Sequence, residues 1–269
     1  MARRRDNKAL ARERLRQEQE RRRQKERRSR IIAVTAGVVA LVVAIVVVGV
    51  VVQYQRGRTH GPTPPGTVAN GLAIPVGQRT APVTLTVYED FRCPSCKQFE
   101  DTYGDTVRSL VDAGKLRVEY HIATVIDGNY PGTSGSKIAG NAGACAFVAG
   151  KFRPYHDVLF ANQPPETEDG FTEQRVLELA KRVEGLDTPA FRSCVSKETY
   201  RPWLSRVQQN FDHSFKRVST PTLLLNGKLV FGADLQQADP SIASPQTFEQ
   251  TVDQLAAKNG SASPSPTSS

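Results

Sequence analysis

The run IIAVTAGVVALVVAIVVVGVVV, Ile31 to Val52, holds 22 residues without a charge or a proline. At about 1.5 Å of rise per residue, a helix of that length crosses the roughly 30 Å hydrocarbon core of a bilayer. Its Val and Ile content disfavours helix in water. In lipid the backbone must satisfy its own hydrogen bonds, and a helix does so. The run is too long for the apolar core of a cleavable signal, which spans about 7–15 residues, and the following QYQRGRTHG offers no small-residue cleavage site. It reads as an uncleaved transmembrane anchor.

Charge sets the direction of that anchor. The chain carries 36 basic and 27 acidic residues, and residues 1–30 alone hold 14 basic against 5 acidic. The remaining 239 residues are balanced, with 22 of each sign. Positive charge before a span keeps the N-terminus in the cytoplasm, and it can also meet anionic lipid headgroups. A body without net charge is not built for a phosphate backbone, which argues against nucleic acid as a partner. The expected topology is a single pass through the cell membrane, with everything beyond Val52 outside. All four cysteines, Cys93, Cys96, Cys145 and Cys194, fall there, in a compartment where disulfides persist.

Residues 53–68, polar and rich in Pro and Gly, read as a semi-extended linker. The Ser/Pro tail 259–269 reads as disordered. A folded domain is therefore expected over 69–258. Within it, VTLTVYE (83–89) alternates as a strand does, and a helical pattern follows from Pro94 to about Ala113. KLRVEYHIATV (115–125) is a second strand. A helical block follows over about 136–216, with Asp187 or Thr188 as an N-cap before Pro189. Trp203, Tyr200 and Phe211 in this block read as core. PTLLLNGKLVFG (221–232) is a hairpin about Asn226-Gly227, and 245–258 closes as an amphipathic helix.

DFRCPSC (90–96) carries the chemistry. Positions three apart on a helix are neighbours, so Cys93 and Cys96 can close a disulfide. Cys93 stands where strand gives way to helix, and the unpaired amides of the first turn favour its thiolate. Pro94 suits the first helical position. Cys96, a turn inside, is expected to be the more buried, resolving thiol. A zinc site would need further ligands, but there is no second C-x-x-C, and His60, His121, His156 and His213 form no closely spaced pair. No metal is expected, nor any cofactor beyond the redox disulfide. Cys145 and Cys194 lie on apolar helical stripes and read as a structural disulfide, with a second redox pair as the alternative.

VTLTVYEDFRCPSCKQFE, followed far downstream by STPTLLLNGKLVFG, resembles the membrane-anchored bacterial members of the DsbA-like branch of the thioredoxin superfamily. The resemblance spans about residues 70–258 and implies an α/β thioredoxin fold with an inserted helical block. It implies a cis proline at Pro221 beside the cysteines, with Thr220 presenting its backbone to an extended substrate. Two departures stand out. The C-x-x-C dipeptide often has a His where this chain has Ser95, and the family's buried acid falls on Val87. Glu89 and Asp90 are then the nearest carboxylates for a proton relay; solvated or capping acids beside Arg92 and Lys97 are the alternative.

The function these features imply is an extracytoplasmic thiol:disulfide oxidoreductase that donates disulfides to exported cysteine-containing proteins. A membrane partner, quinone-linked in such systems, would reoxidise it. A thiol reductase or disulfide isomerase is the same chemistry reversed. A non-catalytic binding module with an inert CPSC staple is the rival from another class.

Overall fold

In the computed structural model, residues 41–50, 61–235 and 238–260 are described. The basic segment, the rest of the Ile31–Val52 run and residues 261–269 lie outside the described residues. Residues 41–50 are helical with exposed side chains. Among the described residues no helix is long and apolar enough to cross a membrane.

The folded unit is built on a five-stranded sheet of order β1-β3-β2-β4-β5. Its strands are β1 (Ile74–Val76), β2 (Val83–Glu89), β3 (Leu116–Ile122), β4 (Thr222–Leu225) and β5 (Lys228–Phe231). β2 and β3 run parallel, joined by α1 (Pro94–Asp112), as a parallel pair requires. The other pairings are antiparallel. Along β2 buried positions alternate with half-buried ones until Val87, after which Tyr88 and Glu89 are buried as well. Both faces are covered at this end. Tyr88 and His121 stack on each other and Tyr88 on Phe211, while Tyr120 meets Phe152 and His156.

The cover comes from the helical block inserted between β3 and β4. It comprises α2 (Val125–Asn129), α3 (Gly135–Val148), α4 (Phe152–Ala161), α5 (Glu173–Ala180), α6 (Pro189–Ser196) and α7 (Arg201–Ser214). Thr188 caps α6 by accepting the Phe191 N–H, with Pro189 in the first turn as expected. Cys145 of α3 and Cys194 of α6 are joined in a disulfide that closes a 49-residue separation. Trp203 and Phe211 are fully buried in the core. The hairpin turns at Asn226 and Gly227, both at positive φ as a tight two-residue turn demands. α8 (Pro245–Gly260) follows a short 3-10 turn, Pro240–Ile242, and packs beside α1.

The domain differs from the sequence expectation at both ends. Residues 61–68, read as linker, are packed: Pro64 is buried, Val68 pairs with Ala73, and Arg206 of α7 donates to Thr63 Oγ1 at 2.8 Å. The Trp203 indole also donates to the Gly71 carbonyl. Apolar and hydrogen-bonded contacts to α7 thus extend the folded unit back to about residue 61. At the other end Asn259, assigned to the tail, is helical and donates to the Pro82 carbonyl at 2.8 Å.

Candidate active site

Cys93 is the N-cap of α1, with extended backbone angles (φ −77°, ψ 119°), and Pro94 opens the helix. Asp90 builds the turn before it. Its carbonyl accepts the Cys93 N–H at 2.9 Å, and its carboxylate accepts the N–H groups of Arg92 and Ile126, both at 2.9 Å. Both cysteines are free thiols. Cys93 is 5% exposed and Cys96 1%, the order expected from their places in the helix.

The two sulfurs are electrostatically unlike. Cys93 is lowered to about 6, first because the Cys96 side chain donates to it, with help from Thr220 and the Ser95 and Cys96 amides, against the opposing effect of burial. Cys96 is pushed well above the ordinary thiol range, first by burial and then by the facing Cys93 sulfur. One sulfur is a stable thiolate at neutral pH and its neighbour a buried thiol. That is the division of roles a C-x-x-C couple needs for exchange.

The Thr220–Pro221 peptide is cis, in agreement with the resemblance. As a thiol, Cys93 Sγ donates to the Thr220 carbonyl at 3.1 Å. Among the described residues the buried Thr220 hydroxyl has no hydrogen-bond partner, and it is one of the groups that favour the ionised sulfur. Beside this corner lies a cavity of about 320 Å³, lined by Ser95, Phe99, Tyr103, Pro221, Phe231 and Ile242 among others. It is a largely apolar shelf bordered by Ser95 and Pro221, the neighbours of the two cysteines and of Thr220.

Neither of the two carboxylates considered for a relay is solvated. Glu89 and Asp90 are both buried, so neither is a solvated acid; Asp90 fits the capping alternative, since its carboxylate accepts the Arg92 and Ile126 N–H groups. Asp90 is raised to about 7 by burial, against the pull of its two N–H donors. Glu89 accepts from His156 Nε2 at 2.9 Å. Burial opposes charge on His156, but Glu89, Asp157 and Glu100 together outweigh it and hold the imidazole well above its usual range. Val87, the family's usual acid position, is core. Glu89 lies two residues along the same strand and so on the same face. Glu89, Glu100 and His156 bring three metal-type donor atoms within 4.8 Å of one another; two of them, Glu89 and His156, are joined by their hydrogen bond. His121, by contrast, is lowered to about 4 by burial and stays neutral beneath Tyr88.

Arg92 and Gln163 are site residues that the sequence reading passed over. Arg92 is buried and pairs with Asp127 at 2.9 Å, and it donates to Thr133 Oγ1 and to the carbonyls of Glu166 and Glu168. Gln163 Nε2 donates to the carbonyls of Phe91 and Cys93. Their partners lie 35 to 76 residues away in sequence. The unusual run FRC, with an arginine directly before the reactive cysteine, was the one available signal.

A sheet whose central strand runs into a C-x-x-C helix, with a cis proline against the first sulfur, defines a thioredoxin-fold dithiol site. The comparisons agree. The family model described as Thioredoxin matches residues 70–255, and the chain belongs to that family. It is 26% identical over 160 residues to disulfide bond formation protein D of Bacillus subtilis, covering 58% of this chain and 68% of that one. The reduced disulfide bond oxidoreductase DsbG from Mycobacterium tuberculosis superposes with a TM-score of 0.54 at 25% identity, covering 71% of this chain and 96% of that one. Oxidised BdbD from Bacillus subtilis gives 0.56 at 21% identity, covering 71% and 97%. The chain is a DsbA-like thiol:disulfide oxidoreductase.

Proposed function

We propose that this enzyme works outside the cytoplasm as an oxidase, donating the Cys93–Cys96 disulfide to exported proteins. The observation that carries this reading is the asymmetry of the two sulfurs. A substrate thiolate attacks Cys93 Sγ in the disulfide; the S–S bond breaks and Cys96 leaves with the electron pair and takes up a proton. A second substrate thiolate then attacks the substrate sulfur of the mixed disulfide, and Cys93 leaves as a thiolate. The substrate loses two electrons and two protons and gains its disulfide. With Cys93 lowered to about 6, roughly nine-tenths of it is ionised at pH 7, so it is a good leaving group.

An extended substrate segment lies along the Thr220 carbonyl edge in this reading, with an apolar side chain on the Phe99–Phe231 shelf. Glu89, linked to His156, serves as the relay that supplies the proton to Cys96, and Asp90 holds the turn. The Ile31–Val52 run anchors the enzyme, the basic segment stays in the cytoplasm, and a quinone-linked membrane partner removes the two electrons. Ser95, neutral where a cation would strengthen the thiolate, favours a moderate oxidant over an extreme one.

The test is to equilibrate the purified full chain with glutathione buffers. A potential between about −270 and −120 mV, the thioredoxin and strongest-oxidase values, is expected. A value at or below that of thioredoxin transfers the reading to a reductase. No exchange with glutathione at all would mean an inert staple. For topology, protease added to spheroplasts should digest the domain and spare residues 1–30; a protected domain refutes the outward orientation.

A further inference from the structure

The turn that carries Cys93 and the loop after α4 hold each other reciprocally. Gln163 reaches out of the loop, and its amide nitrogen donates to Phe91 O at 2.9 Å and to Cys93 O at 3.0 Å. Arg92, between those two carbonyls, reaches back to the same loop and donates to Glu166 O at 2.9 Å and Glu168 O at 3.3 Å. The loop is firm. Gly170 packs so tightly on the Pro164 ring that an added Cβ would lie 2.5 Å from it, and the Gln163 N–H donates to Phe160 O. On the other side of the guanidinium, Asp127 closes the network at 2.9 Å.

This matters at Cys93 because of where the carbonyl sits. The Cys93 carbonyl also accepts the first helical bond of α1, from the Lys97 N–H at 3.2 Å. A carbonyl held from two sides fixes the Cys93 ψ, and with it where Cβ, which carries the sulfur, stands relative to the Ser95 and Cys96 amides. No other side chain is recorded as donating to that carbonyl among the described residues. We propose that Gln163 is a positioning residue for the reactive sulfur: its two donated hydrogen bonds hold Cys93 in the extended N-cap geometry that aims Sγ over the first turn of α1. Substrate need not touch it. The inference rests on reading Cys93 as the reactive sulfur, and it gives the helical insertion a role in the chemistry beyond covering the sheet.

Two substitutions test it in the full chain. Gln163→Met keeps the length and removes both donors; Gln163→Glu keeps size and polarity but places an acceptor against two carbonyls. The readouts are the pH midpoint of Cys93 alkylation in the reduced protein and the equilibrium constant against glutathione, with melting temperatures of both redox forms measured alongside. The expected result is an upward move of the midpoint by about one unit. A fall in the equilibrium constant of up to tenfold should accompany it, about 30 mV for a two-electron couple. The Glu variant should shift at least as far as Met above the ordinary carboxyl range, where it is ionised. Midpoints and constants equal to those of the unsubstituted chain in both variants overturn the proposal, even if melting temperatures fall, because a merely structural role would lower stability without moving the sulfur. An ordinary midpoint in the unsubstituted chain instead refutes the underlying assignment of Cys93, so the two failures are distinguishable.

Discussion

The Cys93 thiolate makes a quantitative demand on how the enzyme's potential varies with pH. Reducing a disulfide to two thiols consumes two electrons and two protons, which moves the potential by about 59 mV per pH unit, or about 30 mV per proton. With Cys93 at about 6 and Cys96 well above the ordinary range, only Cys96 takes up a proton above pH 6. The slope should therefore break near pH 6, from about 59 to about 30 mV per unit. Glutathione still binds two protons between pH 6 and 8. The enzyme should thus become a stronger oxidant relative to glutathione by about tenfold per unit across that window.

The sign follows from linkage. Folding depresses the Cys93 value, so the gain to the reduced state is fully present above the ordinary value of 9.0 and is lost as pH falls through about 6. At pH 7 the difference amounts to about 1.4 kcal/mol, or roughly 30 mV, and it approaches about 4 kcal/mol at high pH. Cys96→Ala removes the first cause of the shift, the hydrogen bond from the Cys96 thiol, so its Cys93 alkylation midpoint should rise. The assays are alkylation rate against pH for both proteins, and equilibration with glutathione from pH 5 to 8 for the unsubstituted chain. A single slope through pH 6 to 8, or a Cys96→Ala midpoint equal to that of the intact pair, would refute the account of the thiolate.

The Cys145–Cys194 bridge, with its separation of 49 residues, should constrain the unfolded chain by about 4 kcal/mol. For a domain of about 200 residues, with roughly 2.1 cal/mol/K of unfolding entropy per residue, replacing both cysteines by alanine should lower the melting temperature by about 10 °C while exchange with glutathione persists. A change under about 2 °C, or complete loss of exchange with the fold intact, contradicts a purely structural bridge. Arg92→Met takes one partner from the buried Asp127 carboxylate, which keeps the Ser136 and Lys137 amides and the Lys137 ammonium, and frees two loop carbonyls, so a loss of about 2–3 kcal/mol is expected in denaturant unfolding; a loss below about 1 kcal/mol would mean the network is not holding the turn. Glu89→Gln keeps a hydrogen-bonding group opposite His156 but removes the relay. Substrate attack on the disulfide at pH 7 should slow at least tenfold, and an unchanged rate removes Glu89 from the proton path.

What the sequence revealed and what it hid divide by range of interaction. VTLTVYE is a strand because β-branched and aromatic residues alternate over seven positions, and it appears as Val83–Glu89. The hairpin is written locally in Asn226-Gly227, which must adopt positive φ. The N-cap place of Cys93 follows from a strand ending five residues before a proline-started helix. β1 was missed because Ile74–Val76 is three residues long and too short to show a period. Residues 61–68 look like a spacer by composition, and only the α7 surface that they cover makes them structure.

The same distinction explains the acids. Read locally, Glu89 and Asp90 beside Arg92 and Lys97 look like charges on a solvated turn. Each becomes a buried group only because a distant element supplies its partner: His156 from α4 for Glu89, and the Ile126 amide for Asp90. A buried carboxylate with no partner would be too costly to keep ionised, so these pairings had to form together with the insertion. The period-two geometry of β2 places Glu89 on the face where Val87 also points, one pleat nearer the cysteines, which is why the proposed relay is assigned to it. Cys96 is 1% exposed, and under the proposed relay its proton arrives through protein groups. Glu89, whose charge bears on the Cys96 thiol, is hydrogen-bonded to His156, which also meets Asp157, and His156, Asp157 and Glu100 line an open cavity of about 280 Å³. Under the proposed relay, the insertion that hides the second sulfur from water also supplies the titratable groups that lead from Glu89 toward the surface.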